Sequence, residues 1–278
     1  MKPAPYQYER PREMDAALAL LSEAGGGAKI VAGGQSLGPM LNLRLVEPEL
    51  IIDISGIAAL KRAGMEGGDL VLGACITHAD IEDGRVPDVT RGAMRKVAGA
   101  IAYRAVRNRG TVGGSLSHAD PAADWVSTLI ALDARIVLRS RGGTRTLPAS
   151  DFVVGALETA LQPGEMVEAV RVPPMPETAR WGYSKACRKT GEFAHAIGAV
   201  LVDPDAKTAR ALIGAIDAPP LLIPDASGLF GGRVTGDFAQ SYDPAAADAL
   251  LVKAGVADPV HRHFHVAVLG RAVREAAQ

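Results

Sequence analysis

An α+β chain in three stretches is the fold class this sequence predicts, on three observations. Residues 14–54 alternate helix, strand, glycine turn, short helix and strand. From Leu60 the texture changes, with strands and helices more densely punctuated. Pro173-Pro174-Met175-Pro176 then sets off a last stretch of strands followed by helices. The composition supports a real core: 48% of the 278 residues are hydrophobic, which excludes wholesale disorder. The length gives a prior of about two domains or subdomains.

Taken in order, Met14 to Ala24 carries the apolar spacing of an amphipathic helix, ended by Gly25-Gly26-Gly27. Lys29 to Ala32 is a short apolar strand that runs into Gly33-Gly34-Gln35-Ser36. A helix is expected from Leu41 to Leu45, bounded by Pro48, and Glu49 to Ile54 is the next strand. Gly67-Gly68 turns into a strand over 69–74, and Thr77-His78-Ala79-Asp80 has the pattern of a helix start. Helices are expected over 87–97 and 121–132. Residues 134–139 with the turn 141–145 read as a hairpin, and Met166 to Val172 reads as a strand. Beyond the prolines, strands are expected over 198–203 and 211–215, then helices from Pro244 to the end. No internal repeat is present.

Composition excludes several classes of function. Aromatic residues are 4%, too few for a broad surface that stacks single-stranded nucleic acid. Thirty Lys and Arg against thirty-one Asp and Glu leave no global field for DNA or an acidic membrane. Two cysteines, Cys75 and Cys187, form no disulfide framework and cannot ligate an iron–sulfur cluster, which usually needs four thiolates. No segment approaches the roughly 18 apolar residues of a membrane span, and the first fifteen residues contain no signal-peptide core. A soluble protein of a reducing cytoplasm is expected.

Two glycine motifs carry the chemistry. Val31-Ala32-Gly33-Gly34-Gln35-Ser36-Leu37 follows a strand directly. Paired glycines let the backbone approach a ligand and let successive N–H groups point one way, a nest suited to a pyrophosphate. A tight strand-to-helix turn with no ligand is the competing reading, and the motif is not the G-x-G-x-x-G fingerprint. Thr111-Val112-Gly113-Gly114-Ser115 reads as a second loop of the same type. It is followed by Ser117-His118-Ala119-Asp120-Pro121-Ala122-Ala123-Asp124. Asp124 falls in the first turns of the expected helix, where a carboxylate favours the helix dipole or bonds a ligand or the loop.

The segments AGGQSLGPMLNLR (32–44), RNRGTVGGSLSHADPAAD (107–124) and YSKACRKTGEFA (183–194) resemble the FAD-binding medium subunit of molybdenum hydroxylases, the xanthine dehydrogenase and carbon monoxide dehydrogenase family. The resemblance covers essentially the whole chain. It implies two FAD-binding subdomains of the PCMH/VAO type, 1–57 and 58–173, followed by a C-terminal α+β domain of the carbon monoxide dehydrogenase flavoprotein type, 177–278. FAD would lie extended between the first two. Ile30, Val31, Ala32, Gly33, Gly34, Gln35, Ser36 and Leu37, with Thr111, Val112, Gly113, Gly114 and Ser115, would wrap its diphosphate and adjoining groups. Asp124 would bond the loop or the adenosine part. Ile101 and Leu161 would make apolar contact, and Lys185 would approach the flavin from the third domain. The resemblance also implies a small partner with two [2Fe–2S] clusters, a large partner with the molybdenum cofactor, and a dimer of such heterotrimers. No residue of this chain would act on substrate, and no metal would be bound here.

The sequence departs from the family pattern at several points. Gly38 stands where a bulky apolar residue is common, Tyr103-Arg104 where His-Pro is frequent, and Glu192 where Asp is usual. The segment Ala218 to Leu222 lacks the Arg often found there. On this resemblance the Gly38 and Tyr103 changes would leave the phosphate loops intact and alter the edge of the cleft, and with it the route to the electron acceptor. The remaining motifs have bland readings beside sharper ones. His261, His263 and His265 could chelate a metal through an i, i+4 pair or simply form a solvated helix face. His118 could touch a phosphate or stabilise the loop. Cys187 beside Lys185 and Arg188 could be activated or structural. Arg104, Arg107 and Arg109 could neutralise a pyrophosphate, meet an acidic partner, or form plain surface. Ser36 and Ser115 lack the His and Asp of a hydrolase. The function the resemblance implies is an FAD-carrying subunit that takes electrons from the [2Fe–2S] clusters of a partner and passes them to an external acceptor. Two rivals stand beside it, a stand-alone NAD(P)H-dependent flavin reductase and a non-redox nucleotide-binding scaffold.

Overall fold

The computed structural model describes residues 2–278. Its N-terminal stretch is a three-stranded parallel sheet in which β1 (Gln7–Glu9) and β2 (Ala28–Val31) flank the central β3 (Leu50–Asp53). Parallel strands need crossovers, and α1 (Met14–Glu23) and α2 (Leu37–Asn42) lie in them. Ala17, Leu18 and Leu21 of α1 are buried, one face of the expected amphipathic helix. The helix expected from Leu41 begins already at Leu37 and ends at Asn42. Pro39 is tolerated in its first turn, and Arg44 stops it with a left-handed backbone (φ 56°).

The second stretch is a five-stranded antiparallel sheet with a helical layer. β4 (Ala63–Glu66) and β5 (Asp69–Gly73) form a hairpin across Gly67-Gly68. Both glycines have positive φ (60° and 91°), the backbone that two-residue hairpin turns require. The helices α3 (His78–Glu82), α4 (Ala93–Ala100), α5 (Arg104–Arg107), α6 (Val112–His118) and α7 (Asp124–Ala131) follow in one run. Then come β6 (Arg135–Ser140), β7 (Gly143–Pro148), α8 (Ala149–Phe152) and the small β8 (Val153–Gly155)–β9 (Glu158–Thr159) pair. β10 (Met166–Val172) returns to the middle of the sheet between β5 and β6.

Two expected helices are shorter than their sequence signal. Residues 87–92 form a turn, because Asp88 accepts from the Thr90 and Gly92 amides and Arg91 and Gly92 have positive φ. α7 starts at Asp124 rather than Pro121, because Asp120 Oδ1 accepts from the Ala122 amide and holds a turn there.

The third stretch is an antiparallel meander of β11 (Arg180–Ala186), β12 (Ala196–Asp203), β13 (Thr208–Gly214) and β14 (Leu221–Ile223), followed by α9 (Pro244–Lys253) and α10 (Pro259–Ala276). Its two faces alternate with the strand period of 2. Tyr183, Ile197, Ala199 and Leu212 join the large core that begins at Ala17 in α1, while Val200, Val202, Ala211 and Ile213 join a second core with Leu269, Ala272 and Val273 of α10. A β-carbon on Gly198 would stand 2.7 Å from Leu269 Cα, and one on Gly182 would overlap the Ala272 carbonyl. These glycines therefore let α10 lie directly on the strands. No helix among the described residues is long and apolar enough to cross a membrane.

Candidate functional site: a backbone nest between the first two sheets

The chain leaves β2 through Ala32 and Gly33 into the start of α2. Gly33 is buried with its backbone against the stretch before α6: a β-carbon there would overlap the Arg109 carbonyl and stand 2.9 Å from Gly110 Cα. Gly34 has φ 71°, the left-handed backbone that favours glycine. Gln35 Nε2 donates back to the Gly33 carbonyl (3.1 Å), which fixes the turn. Among the described residues, the amides of Gly34, Gln35, Ser36 and Leu37 find no acceptor, and Ser36 does not cap the helix with its side chain. Consecutive free N–H groups on a left-handed turn at a helix start form an anion site.

The second motif is built differently from the expected twin nest. Residues 112–118 are helical, with Thr111 as the N-cap: its Oγ1 accepts from the Gly114 amide (3.1 Å) and its carbonyl from the Ser115 amide (3.0 Å). The Val112 and Gly113 amides donate to Ile76 and Ala74 carbonyls (both 3.0 Å). Every N–H of 112–115 is thus used within the chain. The glycines here serve close packing. A β-carbon on Gly113 would stand 2.5 Å from Ala74 Cβ, and one on Gly110 would stand 2.6 Å from His78 Nε2. What α6 presents outward is Gly114, exposed, and Ser115, half-buried. His118 lies at the far end of α6, away from the cap.

The arginine cluster divides. Arg107 holds both Glu82 oxygens (2.7 and 2.9 Å) and the Ile101 and Ala102 carbonyls, and Arg104 grips Asp83 (2.6 and 2.7 Å). The Arg107 hydrogen bonds hold the Glu82 carboxyl below its usual range. Arg109, whose carbonyl faces Gly33, is exposed, and its side chain has no ion pair or hydrogen bond among the described residues. It is the member of the cluster without a partner in the chain.

On β11 the period of 2 points Trp181, Tyr183 and Lys185 at the second stretch, and Asp124 meets them as the first residue of α7. Lys185 Nζ lies 2.8 and 3.0 Å from the two Asp124 oxygens and 3.0 Å from the Ala100 carbonyl, and Tyr183 OH donates to Asp124 Oδ1 (2.7 Å). Burial, and then the Asp124 charge, raise the Tyr183 phenol well above its ordinary value, so it stays a neutral donor. Asp124 thus bonds the third sheet in this structure. Ile101 follows Ala100 directly and, like Leu161, is partly buried against the large core. Tyr183 was not among the residues the sequence singled out, although its two-residue spacing from Lys185 was a legible signal.

Outside this region the other candidates separate. His265 is buried (3% exposed) with Nδ1 unpartnered, and burial pushes its pKa down to about 4, whereas His261 and His263 are exposed. The three do not share a solvated face, and no cluster of three metal-ligating side chains occurs among the described residues. Cys75 and Cys187 are unpaired; burial pushes the Cys75 thiol up to about 12. His78, read in the sequence only as part of a helix start, is buried and accepts at Nδ1 from Trp125 Nε1 (2.9 Å) beneath Gly110.

Residues 4–175 match the family described as the FAD binding domain in molybdopterin dehydrogenase. The chain is 33% identical over 282 residues to the carbon monoxide dehydrogenase medium chain of Hydrogenophaga pseudoflava, covering 99% of this chain and 97% of that one. It is 32% identical over 254 residues to the nicotine 6-hydroxylase medium subunit of Paenarthrobacter nicotinovorans, covering 90% and 89%. Among solved structures, reconstituted CO dehydrogenase from Oligotropha carboxidovorans superposes with a TM-score of 0.88 at 29% identity, covering 100% of this chain and 99% of that one. A free-amide turn after β2, seated on the stretch before α6 in a chain that aligns end to end with such medium chains, makes this protein a member of the FAD-binding medium-subunit family of the molybdenum hydroxylases, an oxidoreductase component.

Proposed function

We propose that the chain holds FAD at the nest and relays electrons within a multi-subunit molybdenum hydroxylase, from [2Fe–2S] clusters of a small partner to an external acceptor. The observation that carries this reading is the run of unpaired amides at Gly34 to Leu37 beside the unpaired Arg109. A diphosphate needs donors and positive charge: the turn offers the donors, and Arg109, whose backbone lies against Gly33, would supply the charge. FAD, when bound, accepts one or two electrons and so links one-electron clusters to either kind of acceptor. The protein's part is to bind and orient. Ile30 to Leu37 enclose the diphosphate, with the segment Thr111 to Ser115 as the opposite wall: Gly114 and Ser115 are its accessible surface, and the buried Thr111, Val112 and Gly113 hold them in place. Ile101 and Leu161 supply apolar contact. Asp124 and Lys185, held together by their ion pair, set the position of the third sheet against that wall.

The two cysteines leave cluster ligation to another chain. A small iron–sulfur subunit and a large molybdenum-cofactor subunit, assembled as a dimer of heterotrimers in the cytoplasm, complete the proposal. Its support is the end-to-end similarity to medium chains of multi-subunit dehydrogenases. Within the chain, subdomains 1–57 and 58–173 would form the FAD cleft and 177–278 the C-terminal domain. The apolar core is continuous across the first of these boundaries, which suits a cleft with rigid walls.

The test is an absorbance spectrum of the purified chain, with mass analysis of released cofactor. Flavin bands and stoichiometric FAD are expected, with bleaching by substrate only in the assembled complex. A chain that stays colourless after incubation with FAD overturns the reading. Reduction of the isolated chain by NADH would replace it with a flavin reductase.

A further inference from the structure

The loop between β11 and β12, residues 187–195, closes at its base through a hydrogen bond from the His195 amide to the Ala186 carbonyl (2.7 Å). Glu192 ties it internally to Arg188 (3.2 Å) and Lys189 (3.6 Å). Among the described residues, one side chain from outside hydrogen-bonds to it. Tyr103, the N-cap of α5, donates its hydroxyl to the Thr190 carbonyl (2.6 Å). Its ring lies under Gly191, where a β-carbon would overlap the ring and the backbone has φ 90°. At the loop's base Lys185 holds the Ala100 carbonyl. The loop therefore bridges residues 100–103 at two points, and Ile101, a proposed FAD contact, lies between them. Phe193, next to the pinned tip, is 68% exposed.

We infer that Tyr103 is a positioning residue that pins the 187–195 loop across the edge of the FAD site and so limits how readily a small soluble oxidant reaches the flavin. This rests on the FAD reading above. The Tyr103 ring and Gly191 act as one unit: the ring needs a neighbour without a side chain, and the hydroxyl needs the carbonyl that precedes it. Losing the hydroxyl removes one net hydrogen bond, which corresponds to a roughly five-fold shift toward the released loop. Losing the ring also removes the surface on which Gly191 rests. Gly191→Ala should release the loop from the other side by pushing the ring away.

The experiment uses the full chain as wild type, Tyr103→Phe, Tyr103→Ala and Gly191→Ala. Tryptic cleavage at Arg188 and Lys189 reads the loop without needing flavin. Stopped-flow oxidation of the dithionite-reduced, FAD-loaded chain by ferricyanide, each ion taking one electron, reads access. Tyr103→Phe should raise both rates roughly five-fold. Tyr103→Ala should raise them further, with FAD content unchanged, and Gly191→Ala should raise the cleavage rate as well. Unchanged cleavage in Tyr103→Ala overturns the pin. Faster cleavage with unchanged ferricyanide oxidation overturns the access role. A wild-type chain that takes up no FAD overturns the flavin reading and the access role with it, and the cleavage rates then still decide the pin.

Discussion

Asp124 concentrates the energetics of the site in one side chain. It is 11% exposed, carries a charge, and satisfies that charge with Lys185 at 2.8 Å and the Tyr183 hydroxyl at 2.7 Å. Removing one partner of a largely buried pair strands the other, at about 3 kcal/mol. Asp124→Asn and Lys185→Met should each destabilise the chain by that order in urea unfolding. The combined Asp124→Asn, Lys185→Met variant should lose less than the sum, by about 1–3 kcal/mol of coupling. Additive losses would show that the pair is not an energetic unit. Gly34 calls for a different expectation. A valine there meets little but Val31, yet must adopt φ 71° with a β-branched side chain over free amides. Gly34→Val should lose FAD while the far-UV spectrum stays that of the folded chain and the stability falls by about 1–3 kcal/mol for the strained backbone. Full retention of FAD by the folded variant would dismiss the nest.

At the scale of elements, α6 shows why two similar glycine motifs do different work. The nest after β2 keeps its amides free, because Ser36 does not cap α2. α6 uses every early amide internally: Thr111 caps it, and Gly113 lets its first turn sit on Ala74. Thr111→Ala should cost about 1 kcal/mol through the lost cap, visible as a lower unfolding midpoint, with FAD content held at saturating cofactor. Gly113→Ala should cost more, because its neighbour at 2.5 Å is Ala74 Cβ in a buried turn with little room to yield. If Gly113→Ala were the milder of the two, close packing would not be the reason for that glycine.

The whole molecule couples its parts through shared burial, and pH is the lever that reads it. His78, the first residue of α3, lies beneath Gly110 and accepts from Trp125 of α7, and burial, then the Arg107 charge, push its pKa down to about 4. His265 of α10 is pushed down to about 4 as well, by burial first. Both stay neutral in the folded chain down to that pH, while the unfolded chain protonates them near 6.5. The unfolded state therefore binds more protons between pH 6.5 and 4, so stability is full above that window and falls as pH drops through it. For His78 the loss amounts to about 3 kcal/mol by pH 4. Urea unfolding at pH 7 and pH 4.5 should show the drop in wild type and a smaller one in His78→Gln. An equal drop in both would place the cause elsewhere.

Much of this was legible in the chain itself. The strands at β2, β3, β5, β6, β10 and β12, and the helices α1, α9 and α10, follow from hydrophobic period and from glycine and proline punctuation, which are local signals. The three quoted segments were enough to expect an FAD-binding medium subunit. β11 was not read as a strand, because a pattern such as Trp181-Gly182-Tyr183 makes sense only when one face meets α7 and the other meets α10. The helix at 87–92 gave way to side-chain hydrogen bonds of Asp88, and the second glycine motif became a capped helix start rather than a loop. The sequence by itself determined which residue types are present at the motifs and the spacing between them. Tertiary structure decided which amides remain free, which arginine remains unpaired, and that Asp124 faces Lys185 and Tyr183. Those outcomes depend on contacts between residues far apart in the chain, where backbone and charge compete for the same partners.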